Sequence, residues 1–132
     1  MSVSPILVDS SFYIALMRQG RDPLAVLALT SATRDLVTCG VVRCEVGRAL
    51  RFPKPREAFE RFFNVMIQVP TDNSLWAEVE SLAWKLDRQG TVLPLPDLII
   101  ACCAFRAGAV VLTFDTHFNR IPGLRVLDRL EP

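Results

Sequence analysis

The chain has 132 residues, is 51% hydrophobic and carries a formal net charge of +1. That length allows a real core and reads as one domain, residues 1–132; the near-zero charge excludes a polybasic nucleic-acid coat and an acidic tail. No apolar run approaches the roughly 18 residues that span a membrane, and the apolar stretch PILVDSSFYIALM is interrupted by Asp9, Ser10 and Ser11 with no basic region before it. A soluble cytoplasmic protein without a targeting segment is therefore expected.

In chain order, PILVD (5–9) is a short apolar run ending in an acid, which predicts a buried strand. SFYIALMRQG predicts a helix closed by Gly20, and DPLAVLALTSATR a second helix with an Asp cap and a Pro at its first position. DLVTC (35–39) predicts a strand, and GVVRCEVGRALRF (40–52) a helix ended by Pro53. KPREAFERFFNVM predicts a helix with Ala58, Phe59, Phe62, Phe63 and Met66 on one side, followed by a short strand over 67–70. TDNSLWAEVESLAWKLDRQG predicts a long helix whose stripe is Leu75, Trp76, Val79, Leu82, Ala83 and Leu86, with Trp76 and Trp84 as core or interface anchors. LPLPDLIIACCAF leads into a helix over 97–107 that stops at Gly108; AVVLTFD (109–115) and LRVLD (124–128) are strands.

Strands alternating with helices predict an α/β fold: an α/β/α sandwich around a mostly parallel sheet of about four to five short strands. Ligands of such sheets bind beyond the carboxyl ends of the strands, near a topological switch point. ILVD and VVLTFD both end in an acid, so Asp9 and Asp115 are expected at the same edge. A helix running antiparallel to the 109–115 strand starts at that edge, which places Asp97 beside Asp115. Glu45, in the helix after LVT, follows by the same geometry. Each acid has a plainer reading: Asp9 as a strand-end turn residue or a cap of the next helix, Asp97 as a helix-start charge, Glu45 paired with Arg48, Asp115 as a turn residue. Four converging carboxylates repel one another, and a divalent cation is the natural compensation; an all-oxygen set suits Mg²⁺ or Mn²⁺ rather than zinc.

Four fragments, in order, carry a family resemblance: VDSSFYIAL, GVVRCEVGRAL around Glu45, LPLPDLIIACCAF, and VVLTFDTHFNRIPGLRVL. The chain resembles PIN-domain ribonucleases, and most of all the small VapC-type toxins of toxin–antitoxin pairs. The resemblance implies a PIN-like fold and a metal-dependent endoribonuclease that uses Mg²⁺, or Mn²⁺. It implies Asp9, Glu45, Asp97 and Asp115 as catalytic metal holders, with Ser11 and Thr113 orienting carboxylates or waters. It also implies an RNA substrate, a VapB-like antitoxin as partner, a homodimer, and no membrane. One departure is visible: where the family often carries a second acid after the last Asp, this chain has Thr116, His117 and Asn119.

His117, the sole histidine, reads as a surface residue or one behind the metal holders, because a metal-water mechanism needs no added base. Arg43, Arg48, Arg51 and Lys54, with Arg56 and Arg61, form a basic cluster suited to phosphate contacts; the plainer reading is solvated helix faces paired with Glu57 and Glu60. The faces Phe12–Tyr13–Leu16, Leu24–Leu27–Leu29 and Phe59–Phe63 offer apolar surface to a partner. Cys39, Cys44, Cys102 and Cys103 match no zinc spacing and read as reduced core-filling thiols. Two other functions stay in view. A receiver-like or phosphatase site would make Asp9 a nucleophile but wants a nearby lysine, and only Lys54 and Lys85 exist. The other is a catalytically silent PIN-like module that binds protein or RNA.

Overall fold

Ile6, Leu7 and Val8 are consecutive and all fully buried. Successive strand residues face opposite sides of a sheet, so this strand is covered on both. The computed structural model, which describes residues 3–130, shows why. Its elements are β1 (Ile6–Val8), α1 (Ser10–Arg18), α2 (Pro23–Ser31), β2 (Leu36–Cys39), α3 (Gly40–Ala49), α4 (Pro53–Asn64), β3 (Ile67–Val69), α5 (Asn73–Arg88), α6 (Leu95–Ala107), β4 (Val110–Leu112), a 3-10 turn (Thr116–Arg120) and β5 (Val126–Leu127). The five strands form one sheet in the order β3-β2-β1-β4-β5, every pair parallel. Helices flank it, as an α/β/α sandwich requires.

The strand order sets the functional edge. From β1 the chain builds outward to β2 and β3, then returns through α5 and α6 to the other side of β1, where β4 and β5 lie. The direction of winding reverses between β1 and β4, and such a reversal opens a crevice at the carboxyl ends. In register, Val8 pairs with Leu112. The Asp9 amide donates to the Leu112 carbonyl (2.9 Å), and the Thr113 amide to that of Leu127 (2.9 Å). Asp9 and Thr113 are thus the first residues past paired strand ends.

α6 is the central helix. Leu98 through Ala104 are all buried, so the helix has no solvent face there; it packs against β2, β3 and β4 and is covered by α5. Gly108 takes the left-handed conformation that ends the helix (φ 62°), and β4 begins two residues later. α3 stops at Ala49, three residues short of expectation, because Leu50 is already extended and Pro53 opens α4 at its first position instead of merely ending α3.

Two expectations about apolar faces need correction. Leu75, Val79 and Leu86 bury the stripe of α5, but Trp76 is 43% and Trp84 61% exposed, so neither anchors the core; Trp84 lies under the Arg88 guanidinium at 5.0 Å. Phe12, Tyr13, Leu16, Leu27, Phe59 and Phe63 are all buried within this chain, where the rings of Tyr13, Phe59 and Phe63 pack at 5.5–6.0 Å. They are core and not partner surface, while Leu29 on α2 remains exposed. Three cysteines fill the core as free thiols, but Cys44 sits exposed on α3.

Candidate active site

Asp9 is the first charge beyond β1 and the cap of α1. It is only 3% exposed, so its carboxylate must be satisfied within the protein. Oδ2 accepts the Ser11 hydroxyl at 2.7 Å, the Thr113 hydroxyl at 2.8 Å and, more weakly, the Ser11 amide at 3.4 Å. The two hydroxyl oxygens lie 3.0 Å apart. Each hydroxyl has a single proton, and both protons serve Oδ2. As acceptors they take the Phe114 amide (Ser11, 3.1 Å) and the Asp115 amide (Thr113, 2.9 Å). The strand-end segment 113–115 is thereby locked to Asp9. Among the described residues nothing donates to Asp9 Oδ1.

Glu45 lies inside α3 and accepts the buried Ser10 hydroxyl through Oε1 at 2.9 Å. It makes no ion pair with Arg48 among the described residues. Burial holds its carboxyl proton more tightly than usual; the Ser10 hydrogen bond opposes this, and the charges of Asp9 and Asp97 add to it. Asp97 occupies the first turn of α6, yet it caps no amide of that helix. Its Oδ2 instead meets His117 Nδ1 at 2.9 Å. Burial raises its pKa too, with the His117 hydrogen bond opposing and Asp115 and Asp9 adding to the rise. Asp115 caps the 3-10 turn through the His117 amide at 2.9 Å, and its Oδ1 lies 3.2 Å from His117 Nδ1.

Glu45 thus feels the charges of Asp9 and Asp97, and Asp97 those of Asp115 and Asp9. Asp97, Asp115 and His117 form a compact group, with one ligand atom from each within 4.8 Å of the others. Sequence reasoning left His117 outside this group. The available signal was its position two residues after Asp115, in the stretch where an acid was expected. Glu45 and Asp97, whose proton affinity is raised by burial and by neighbouring carboxylates, together with carboxylate oxygens that accept no hydrogen bond, form a donor set fitted to a divalent cation.

Two clefts lie on the elements that carry Glu45 and Asp115. One, about 530 Å³, runs between α3 and α4 and is lined by Arg43, Arg48, Arg56, Phe59 and Phe63 among others. The other, about 470 Å³, lies past β4 and β5 and is lined by Asp115, Asn119, Asp128 and Arg129 among others. Arg43 is tied to Asn64 (2.9 Å) and Gln68 (3.3 Å) and sits over the Phe63 ring. Arg51 and Lys54 are exposed and line neither cleft. No ion pair links the basic cluster to Glu57 or Glu60 among the described residues.

The PIN domain family model matches residues 6–124. The chain belongs to the PIN-domain family. This PIN domain is 32% identical over 107 residues to ribonuclease VapC6 of Mycobacterium tuberculosis, an alignment covering 76% of this chain and 84% of that protein. Its fold superposes on VapBC from Salmonella typhimurium bound to DNA with a TM-score of 0.75, 20% identity and coverage of 95% and 98% of the two chains. It superposes on VapBC2 of Rickettsia felis, bound to a promoter DNA fragment, with a TM-score of 0.73, 18% identity and coverage of 92% and 96%. No helix among the described residues of the PIN domain is long and apolar enough to cross a membrane.

Proposed function

We propose that this PIN domain is a metal-dependent endoribonuclease of the VapC type, acting in the cytoplasm as the toxin of a VapBC pair, with residues 1–132 as one catalytic unit. The observation that carries this reading is that Asp97 and Asp115 bring ligand atoms within 4.8 Å of each other, with Asp9 past the end of the neighbouring central strand and Glu45 close enough to feel the charges of Asp9 and Asp97. When bound, Mg²⁺ or Mn²⁺ supplies Lewis-acid polarisation of a phosphodiester oxygen and activation of water.

The chain's own residues do the rest. Asp9, Glu45, Asp97 and Asp115 hold the cation. Ser11 and Thr113 fix the Asp9 carboxylate through Oδ2 and leave Oδ1 without a donor, and Ser10 orients Glu45. Arg48, on the rim of the α3–α4 cleft, is placed to meet backbone phosphates, with Arg51 and Lys54 as exposed outer contacts; Arg43 is held by Asn64 and Gln68 and contributes less. A small VapB-like antitoxin and a second copy of the chain are the proposed protein partners, as the VapBC relatives suggest. A phosphoacceptor site is disfavoured: Lys54 lies in the first turn of α4 and Lys85 on α5, and neither bonds to Asp9 among the described residues.

The test is incubation of the antitoxin-free chain with total cellular RNA in Mg²⁺, Mn²⁺ or chelator, beside Asp9→Asn and Asp97→Asn. Discrete fragments that need metal and vanish in both variants are expected. Undiminished cutting by both folded variants would sink the reading.

A further inference from the structure

His117 follows Asp115 by two residues, and its ring reaches both Asp97 and Asp115. The His117 amide bond to Asp115 Oδ1 shapes the 3-10 turn and fixes where the imidazole starts. Phe118, fully buried next door, anchors that turn in the core. The ring then presents Nδ1 to Asp97 Oδ2 at 2.9 Å and to Asp115 Oδ1 at 3.2 Å. Adjacent ligands around an octahedral ion with bonds of about 2.1 Å stand about 3.0 Å apart. Both separations match such an edge. In the hydrogen bond to Asp97 the ring proton is on Nδ1; Nε2 has no hydrogen-bond partner among the described residues and the side chain is 41% exposed, so when a cation takes the place of that proton the ring can carry its proton on Nε2 in water while Nδ1 offers its lone pair.

We propose that His117 Nδ1 is itself a ligand of the catalytic cation, which makes the site a mixed nitrogen–oxygen centre where the family pattern leads one to expect a carboxylate. The inference rests on the metal-dependent reading above. Its chemical consequence is selectivity. Imidazole binds transition-series divalent ions far better than Mg²⁺, which prefers oxygen, so the site favours Mn²⁺ over Mg²⁺ more strongly than an all-carboxylate site does. Replacing His117 by Asp restores an all-oxygen set.

His117 is the sole histidine, so labelling assigns the ligand without ambiguity. The experiment is pulsed electron paramagnetic resonance of the untagged, full-length chain loaded with Mn²⁺, with natural-abundance or ¹⁵N-labelled histidine. The expected result is a nitrogen coupling to Mn²⁺ that changes from the ¹⁴N to the ¹⁵N pattern on labelling. In parallel, Mn²⁺ and Mg²⁺ titrations of wild type and His117→Asp should show the Mn²⁺/Mg²⁺ affinity ratio falling by about tenfold in the variant. Bound Mn²⁺ without histidine coupling overturns the ligand role and leaves the metal-dependent reading standing. Failure of the wild type to bind Mn²⁺ at all overturns both. An unchanged affinity ratio in folded His117→Asp also overturns the inference, and if that variant does not fold the labelled wild type still decides.

Discussion

Asp9 is held by hydroxyls and not by a fixed cation, and that choice has a measurable cost. Thr113 is 2% exposed and donates to the one Asp9 oxygen that Ser11 also serves. Thr113→Val keeps the shape and removes the donor. The expected loss is about 1–3 kcal/mol of stability in urea unfolding, from a buried carboxylate left short of a partner. Ser11→Ala should not add independently, since the two hydroxyls touch and share an acceptor. Asp97 and Glu45 give a second prediction. Burial and neighbouring carboxylates raise their proton affinity in the folded state. A raised carboxyl pKa favours folding fully below the ordinary carboxyl range, and that contribution is lost as pH rises through the folded-state value. In chelator, Asp97→Asn should therefore gain stability relative to wild type as pH climbs from about 4 towards neutrality. A difference between the two that does not change with pH would contradict this.

At the scale of elements, the site is assembled from starts of structure. Asp9 caps α1, Asp97 lies in the first turn of α6 and Asp115 caps the 3-10 turn. The partial positive charge of these helix starts eases the crowding of acids. The 3-10 turn depends on Phe118, which is fully buried, so Phe118→Ala should cost about 3–5 kcal/mol. Trp84 is the counter-case. Its ring is exposed on α5 with only the Arg88 guanidinium over it, and Trp84→Ala should change monomer stability by no more than about 1 kcal/mol. Thermal unfolding of the two variants side by side tests whether the order holds. A large loss at Trp84 would mean that its ring is covered in solution.

For the whole molecule, a cation that binds only the folded state would link the proposed site to global stability. At a free Mn²⁺ concentration about a hundredfold above its Kd, the wild type should gain about 2.7 kcal/mol. Asp97→Asn should lose most of that gain while being no less stable in chelator. Unfolding midpoints with and without Mn²⁺ measure both quantities. The sheet order makes this coupling direct. Asp9 and Asp115 follow adjacent central strands, β1 and β4, so the bound ion would cross-link the first and last thirds of the chain.

Hydrophobic runs of three to five residues between helical periods were enough to read the α/β class and the parallel sheet, because a strand buried on both faces leaves no alternation to misread. Asp9, Asp97 and Asp115 were legible for a related reason: an acid directly after a buried strand, or at the mouth of an apolar helix, has few places to go. Pairing was not legible. That Asp97 turns to His117 instead of capping α6, that Glu45 takes Ser10 and not Arg48, and that Ser11 and Thr113 meet on one oxygen all depend on contacts between residues up to 104 positions apart. Periodicity likewise gave Trp76 and Trp84 a stripe or anchor role, since it reports the face of a helix but not how far the neighbouring helix reaches. Local sequence thus determined which segments were buried and where charge would stand at their ends. Only the tertiary structure, by bringing distant strand ends into register, decided which donors and acceptors meet there.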